Sequence, residues 1–148
     1  SPLRPGRFSD GTFGLYYAGD TTEVAIAETI HHHTKTMQAT AEAPGWTSQF
    51  RELIGSVDAD MDDVSGLTNL LDPDNYDASQ TFGTQRRAAG SSGITWPSVR
   101  FAGGNCIAAF WPDVVPIPTQ GGHFAYHWNG SVVDYVKRLD TGQIMSVS

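Results

Sequence analysis

The sequence predicts an α+β fold with mostly antiparallel sheets and two main helices. Helical features occur in two segments, residues 20–41 and 77–90, and each is followed by residues that end a helix. The other apolar residues fall in about six short runs, several with the alternation of apolar and polar positions that is typical of half-buried strands. Because helices and strands do not alternate regularly along the chain, antiparallel sheets are favoured over a parallel one.

In the first part of the chain, one strand precedes the longer helix and another follows it. The run "GLYYAG" at 14–19 predicts a short strand rich in aromatic residues. Asp20 and Glu23 resemble a capping box at the start of the helix, which must end before Pro44. The run "FRELIGSVDA" at 50–59 has the rough alternation of the next strand.

The second part of the chain contains the shorter helix and most of the predicted strands. After a segment of loop and short helical turns, three elements are predicted: the helix at 77–90 and strands near 93–99 and 105–111. The run "HFAYHWNGSVVDYVK" at 123–137 predicts a hairpin. Its turn is placed at Asn129-Gly130, because this dipeptide is favoured in two-residue turns between alternating runs.

The length and composition fit a single domain that covers residues 1–148. Of the 148 residues, 39% are hydrophobic and 11% aromatic, which is enough to build a core. No run of about 18 apolar residues occurs, so no membrane span is expected. The opening "SPLRPGRF" has neither an apolar signal region nor an initiator methionine, which would fit a processed or trimmed product.

Cysteine usage bears on the redox compartment. Cys106 is the only cysteine, and it lies in the apolar run "NCIAAFW", which predicts a buried strand. An internal disulfide is therefore impossible. This pattern fits a reducing compartment, and a cytoplasmic location is expected.

The charge balance excludes one class of function and suggests another. A net charge of −7 and a pI of about 4.9 argue against a general nucleic-acid binder, which needs clustered Lys and Arg. Seven of the nine basic residues are arginine, whose planar fork suits phosphate and carboxylate groups. The arginines either serve one small anionic ligand or are scattered over the surface.

Several familiar catalytic and binding motifs are absent. The run "HHH" at 31–33 does not predict a metal site, because consecutive helical residues point about 100° apart. No "GxSxG" elbow and no "GxxxxGK[ST]" phosphate loop occurs in the sequence. Metal chemistry, a serine-hydrolase elbow and a P-loop are therefore not expected.

Four polar or aromatic positions are open to two interpretations. "WPSVR" at 96–100 ends a predicted strand with a proline, a hydroxyl and a guanidinium, which fits a surface loop or an anion site. Glu28 follows "VAIA" on the longer helix, where periodicity leaves it between the exposed face and the core. Arg7 is of a type often found at the surface, and Tyr16 of a type often found in the core.

Four short motifs also occur in the order found in one known family: "GRF" at 6–8, "LYYA" at 15–18, "AIAE" at 25–28 and "WPSVR" at 96–100. In this order and spacing they resemble the RES domain over about residues 6–111. That family is named for its arginine, glutamate and serine. The corresponding residues here are Arg7, Glu28 and Ser98.

The tyrosine of the family's "YLA"-like strand corresponds to Tyr16. The resemblance departs from the family pattern here, because Tyr17 replaces the usual aliphatic residue and one extra residue lies between the strand and Glu28. The resemblance assigns Tyr16 to the site by its place in this strand.

The resemblance implies a toxin of a bacterial toxin–antitoxin pair, with a fold like that of the ADP-ribosyltransferase toxins and NAD as its substrate. The favoured activity is transfer of ADP-ribose to a protein acceptor. The alternatives are an NAD glycohydrolase or phosphorylase, which uses water or phosphate as acceptor, and a catalytically silent interaction domain. The implied partner is a cognate antitoxin with a helix-turn-helix domain, whereas the toxin itself would not contact nucleic acid.

The residue types suit the implied chemistry. Cleavage of the nicotinamide–ribose bond develops positive charge on the ribose, which Glu28 would stabilise. Arg7, with Arg100, would bind the pyrophosphate. Tyr16 would form an aromatic wall for nicotinamide, and Ser98 would hydrogen-bond the substrate. No metal is required.

Overall fold

The computed structural model describes residues 6–147, which form two compact units interleaved in the sequence. The first unit comprises residues 6–25 and Ser56–Pro116, and the second comprises Ile26–Gly55 and residues 117–147. In chain order the elements are β1 (Tyr16–Gly19), α1 (Thr22–Thr40), β2 (Thr47–Ile54), β3 (Asp62–Asp63), α2 (Asp77–Ala88), β4 (Gly93–Pro97), β5 (Asn105–Ala109), β6 (Thr119–Trp128), β7 (Val133–Arg138) and β8 (Ile144–Ser146). Short 3-10 turns occur at Thr68–Leu70 and Pro112–Val114.

The first unit is built on a four-stranded sheet in the order β1-β5-β4-β3. β5 pairs antiparallel with β1 and β4, and the short β3 pairs parallel with β4. Alternation of side chains along β4 and β5 buries Ile94, Trp96, Cys106 and Ala108, so the central strands supply much of the core. The buried Cys106 confirms the prediction from the "NCIAAFW" run.

The N-terminal segment of the first unit is hydrogen-bonded to α2 and packs against it. Gln80 donates its side-chain amide to the carbonyl of Gly6 at 2.9 Å, and the Ser79 hydroxyl donates to the carbonyl of Arg7. Gly83 lets the helix approach this segment closely, because an added Cβ would overlap the backbone of Phe8. Phe8 is fully buried with its ring edge-on to Trp96 at 4.8 Å. This packing determines where Arg7 is placed.

The second unit contains an antiparallel sheet in the order β2-β6-β7-β8. Its core combines one helical methionine with sheet residues, and the buried members are Met37, Phe124, Tyr126, Trp128, Val133 and Val136. Ile26 and Ile30 of α1 pack against this cluster, as expected for positions one helical turn apart.

Two helices and two mostly antiparallel sheets confirm the predicted α+β class. The likeness to ADP-ribosyltransferase toxins and the extent of a single domain stay predictions. The predicted strand at 50–59 is displaced, because β2 spans Thr47–Ile54 and ends before Gly55. β8 escaped prediction, because three residues are too few to show alternation. Within residues 6–147, no helix has the length and apolar character needed to cross a membrane.

The predicted capping box at the start of α1 is wrong. The helix begins at Thr22, and the Thr21 hydroxyl accepts a hydrogen bond from the backbone N–H of Val24 at 3.2 Å. Asp20 lies one residue too early and instead accepts from the backbone and side-chain amides of Asn105, at 3.1 and 3.3 Å. The cap thus belongs to the hydroxyl that reaches an N–H group in the first turn of the helix.

The predicted two-residue turn at Asn129-Gly130 is also wrong, although the hairpin itself is present. Trp128 pairs with Val133, which leaves four residues in the loop. The Asn129 side-chain oxygen accepts from the backbone N–H groups of Ser131 and Val132, each at 2.9 Å. The asparagine therefore supports a longer loop by mimicking a backbone turn.

Candidate functional site

Arg7 is buried in the first unit, with 6% of its surface exposed. Its Nη1 donates to the carbonyl oxygens of Leu70 and Asp72, at 3.1 and 2.8 Å. The centre of the guanidinium lies 4.6 Å from the centroid of the Tyr76 ring, in cation–π geometry. The burial excludes the interpretation of Arg7 as a scattered surface residue.

Arg100, which follows β4 in the chain, reaches the same chain segment. Its Nη2 donates to the carbonyl of Pro73 at 2.6 Å and lies 3.5 Å from the hydroxyl oxygen of Tyr76. Two guanidinium groups from distant parts of the sequence therefore meet at Tyr76. We refer to Arg7, Tyr76 and Arg100 as the arginine cluster.

Ser98 shapes the turn that carries Arg100. The backbone N–H of Ser98 donates to the carbonyl of Gly104 at 2.9 Å, which continues the pairing of β4 and β5 by one step. The Ser98 hydroxyl oxygen accepts from the N–H groups of Arg100 and Phe101, at 3.2 and 3.1 Å. Such a side-chain cap of a turn fixes the backbone from which Arg100 projects. Contact of Ser98 with a substrate stays a prediction.

The two tyrosines of β1 have different surroundings. Tyr16 is 56% exposed, and successive side chains of a strand point to opposite faces. The Tyr17 hydroxyl accepts from the backbone N–H of Phe8 at 3.3 Å and packs against Gly6, while its ring lies edge-on to Trp96. The structure therefore places the Tyr17 side chain against the N-terminal segment. The nicotinamide role of Tyr16 stays a prediction.

Tyr17 is 47% exposed overall, but its hydroxyl is enclosed by the N-terminal segment. Burial raises the pKa of Tyr17 to about 12, and this effect outweighs the opposing hydrogen bond from Phe8. Tyr76 also raises the pKa of Tyr17 and Arg7 lowers it, so both lie close enough to affect it. The phenol is a neutral hydrogen-bonding group at physiological pH.

Glu28 lies on α1 in the second unit. Its side chain is 25% exposed, and one carboxylate oxygen is 4.0 Å from Nε2 of His32, one helical turn further on. Glu28 is thus neither in the core nor fully in solvent, which is the ambiguity that the helical periodicity left open. Its assignment to catalysis stays a prediction.

A comparison with family models identifies the family of the chain. The family model of the RES domain matches residues 1–129 of the 148. The chain belongs to the RES domain family. This finding confirms the resemblance carried by "GRF", "LYYA", "AIAE" and "WPSVR". The RES domain family is associated with toxins that use NAD. A search of curated proteins finds no match.

The histidine run of this RES domain does not converge on one point. The rings of His31 and His32 lie edge to face, and Nε2 of His33 is 2.9 Å from the Ser48 hydroxyl oxygen. Burial lowers the pKa of His33, whose ring also contacts Phe50 at 5.0 Å. In the described residues 6–147, no group of three or more His, Cys, Asp or Glu side chains is arranged to hold a metal ion.

A depression of about 480 Å³ lies beside α2 of the RES domain rather than at the arginine cluster. Its lining is polar and contains two carboxylates: Asp10, Asp77, Gln80, Thr81, Thr84 and Gln85. Carboxylates repel phosphate groups. The arginine cluster is therefore the better candidate for an anionic ligand.

Sequence reasoning missed Tyr17 and Tyr76. Tyr17 carries a weak signal, because it directly follows the assigned tyrosine in "LYYA". Tyr76 carries none, because it stands in the polar segment "DPDNY" before α2. Its importance arises only from contacts with residues far away in the chain.

Proposed function

We propose that this RES domain cleaves the nicotinamide–ribose bond of NAD and transfers ADP-ribose to a protein acceptor. The observation that carries the proposal is the arginine cluster. In a chain with a net charge of −7, two guanidinium groups lie at one tyrosine in the first unit. Such a concentration of positive charge suits the pyrophosphate of NAD.

The bond changes of the proposed reaction balance without a metal or an external oxidant. The bond between C1′ of the ribose and the pyridinium nitrogen breaks, and its electron pair goes to that nitrogen, which leaves as neutral nicotinamide. The ribose takes on oxocarbenium character. A lone pair of the acceptor then forms the new bond at C1′, and the acceptor loses a proton.

The roles of the residues follow from their chemical groups. Arg7 and Arg100 would hold the phosphates, since the planar fork of a guanidinium suits phosphate oxygens. Glu28 would stabilise the positive charge on the ribose. Tyr16 would contact the nicotinamide ring, and the Ser98 hydroxyl the substrate, as the family resemblance implies.

The first experiment is incubation of the purified chain with NAD and measurement of free nicotinamide. NAD labelled in its adenylate half, added with cell lysate, then separates the three acceptors. Label on protein supports the proposed transfer, whereas free ADP-ribose indicates hydrolysis and ADP-ribose 1″-phosphate indicates phosphorolysis. Absence of nicotinamide release would overturn the enzymatic proposal and favour a silent interaction domain.

We further propose a cognate antitoxin as partner, with a helix-turn-helix domain for any contact with DNA. A carboxylate-bearing segment of this partner would engage the arginine cluster as phosphates would, because both anions suit guanidinium groups. ADP-ribose and the antitoxin should then exclude each other in a binding assay. Independent binding of both would show that inhibition acts elsewhere on the toxin.

A further inference from the structure

One face of the second sheet points away from the core of its unit. Successive side chains of a strand lie on opposite faces, and Tyr126 and Trp128 of β6 belong to the core that contains Met37. His127 therefore lies on the other face, which we call the outer face. Tyr135 of β7 is directly opposite His127 in the antiparallel register. The two rings stack with their centroids 4.4 Å apart and an angle of 9° between their planes.

A β-bulge brings a carboxylate to the His127 ring. The register of β6 with β7 shifts between His127 and Trp128, where β7 contains one extra residue, Asp134. A bulge can redirect a side chain, and here Oδ1 of Asp134 lies 2.6 Å from Nδ1 of His127. The carbonyl of Asp134 also accepts from the N–H of Val147 at 2.9 Å. The imidazole is therefore held by a stacked phenol ring and a short hydrogen bond.

The Asp134 carboxylate decides which nitrogen of the His127 ring carries the proton. The hydrogen bond from His127 lowers the pKa of Asp134, so this carboxyl group is ionised at neutral pH. A carboxylate only accepts hydrogen bonds, so Nδ1 is the donor. In the neutral ring the lone pair is then on Nε2. The structure shows no hydrogen bond to Nε2 within residues 6–147, and 22% of the side chain is exposed.

His123 offers a comparison on the same strand. It lies four residues before His127, so its side chain is also on the outer face. Both histidines are partly exposed. Over the described residues 6–147, no carboxylate is paired with His123. The carboxylate that fixes the tautomer is thus a feature of His127 and not of every histidine on this face.

A lysine of the outer face can attract an anionic group toward His127. Lys137 is two residues after Tyr135, so it lies on the same face and diagonal to His127. Diagonal neighbours of antiparallel strands are about 7–8 Å apart, which a long side chain can span. Lys137 is exposed, and among the residues that the structure describes it forms no ion pair. Its ammonium group therefore favours an anionic reaction partner at Nε2.

We propose that His127 is a site of phosphoryl modification at Nε2, with Asp134 as its positioning residue and Lys137 as the group that attracts the donor. The donor class is a compound with a reactive phosphoryl group, a phosphoramidate or an acyl phosphate. The proposal does not depend on the reaction with NAD. It rests on a nucleophilic nitrogen, a carboxylate at the opposite nitrogen and a cation on the same face.

The bond changes balance without a further reactant. The lone pair of Nε2 forms a bond to phosphorus, and the bond from phosphorus to the leaving group breaks with its electron pair. The leaving group is ammonia from a phosphoramidate or a carboxylate from an acyl phosphate. The proton stays on Nδ1, so the modified ring carries a positive charge that Asp134 compensates. An ionised carboxylate at Nδ1 therefore stabilises the product as well as the reactive tautomer.

The test treats the full chain with potassium phosphoramidate at neutral pH. Phosphorus NMR and mass spectrometry of peptides, kept out of acid because the N–P bond is acid-labile, measure phosphate on each histidine. We expect His127 to react at least about tenfold faster than His123, which is the scale of one hydrogen bond to a charged group. The phosphoryl group should be on Nε2.

The variant Asp134→Asn keeps the shape of the side chain and removes its charge. Modification of His127 should slow by about tenfold, and that of His123 should not change. Asp140→Asn, which removes a carboxylate paired with Arg138 in the same unit, is the matched control. Thermal melts establish that both variants are folded. Long-range nitrogen–proton NMR of the unmodified parent should show the proton of the neutral His127 ring on Nδ1.

The variant Lys137→Gln tests the attraction of the donor. Modification of His127 should slow by about threefold at low salt, with a smaller difference at high salt. A rate that does not change at low salt would remove Lys137 from the site.

Three results would overturn the proposal for His127. They are equal rates at His123 and His127 in the parent chain, a phosphoryl group on Nδ1, and a neutral His127 ring with its proton on Nε2. An equal loss of rate in Asp134→Asn and Asp140→Asn would overturn the positioning role of Asp134. Nicotinamide release from NAD affects none of these measurements, so the modification site and the proposed function stand or fall separately.

Discussion

Arginines in two regions of the first unit are held by different chemical groups. Around Tyr76, Arg7 and Arg100 donate to backbone carbonyls and contact an aromatic side chain. Near β3, Arg86 forms a two-pronged pair with the carboxylate of Asp62. In the second arrangement the Asp62 carboxylate compensates the charge of the guanidinium. The comparison therefore indicates that Arg86 has less to offer an anionic ligand.

Arg87 also contacts aromatic rings, at a place outside the arginine cluster. The centre of its guanidinium lies 4.8 and 4.7 Å from the centroids of the Phe13 and Trp111 rings. Arg87 is the natural control for the arginine cluster, because it has aromatic contacts but is not part of the cluster.

The largest effect is expected from Glu28→Gln, which sharpens the comparison by separating catalysis from binding. The change preserves shape and removes the carboxylate charge, so nicotinamide release should fall by about a hundredfold or more. The affinity for ADP-ribose should change little, and the partly exposed position should let the fold survive. Glu23→Gln, at an exposed position of the same helix, is the control. Nicotinamide release within a few-fold of the parent would refute the assignment of Glu28.

The next effect concerns Arg7→Lys, which keeps the charge and loses the planar fork. We expect the affinity for ADP-ribose to fall by about tenfold, because an ammonium cannot contact the carbonyls, the ring and a phosphate together. Titration calorimetry measures it, with Arg87→Lys as the matched substitution. An Arg7→Lys variant that binds ADP-ribose as the parent does would contradict the role of Arg7 in binding. Equal weakening in Arg87→Lys would contradict a specific role of the arginine cluster.

A smaller effect is expected for Arg100→Gln, because Arg100 is only half-buried. Loss of its charge should weaken ADP-ribose binding by about three- to tenfold at low salt and less at high salt. Arg86→Gln should leave this affinity unchanged, since its charge is compensated by Asp62. Equal losses in the two variants would mean that net charge alone, rather than the arginine cluster, governs binding.

The smallest effect is a pH-dependent contribution of the Arg86–Asp62 pair to stability. Because the pKa of Asp62 is lowered in the folded protein, the pair stabilises the fold above pH 3.8, the ordinary pKa of this carboxyl group. The stabilisation is lost as the pH falls through the lower pKa that Asp62 has in the folded protein. Asp62→Asn should therefore lower the melting temperature slightly near neutral pH, with a difference that shrinks in acid. A difference that grew on acidification would contradict this sign.

Local patterns were sufficient for most elements of the fold. The helices at Thr22–Thr40 and Asp77–Ala88 match their predicted segments within a few residues, because helix-forming and helix-ending residues act over one or two turns. The strands β4 and β5 were likewise indicated by short apolar runs. The predictions failed where several residues compete for one role. Thr21 rather than Asp20 caps α1, and four residues rather than two form the loop after Trp128.

The sequence by itself determined the family, the α+β class and the burial of Cys106, because these depend on motif order and on periodicity. Only the tertiary structure decided that Tyr17 faces the N-terminal segment, that Ser98 caps the turn leading to Arg100, and that Tyr76 contacts two guanidinium groups. A cation–π contact or a bond to a distant carbonyl leaves no periodic trace in a sequence. It depends on where folding brings the chain back to itself, and here α2 and β4 bring Arg7 and Arg100 to the same ring.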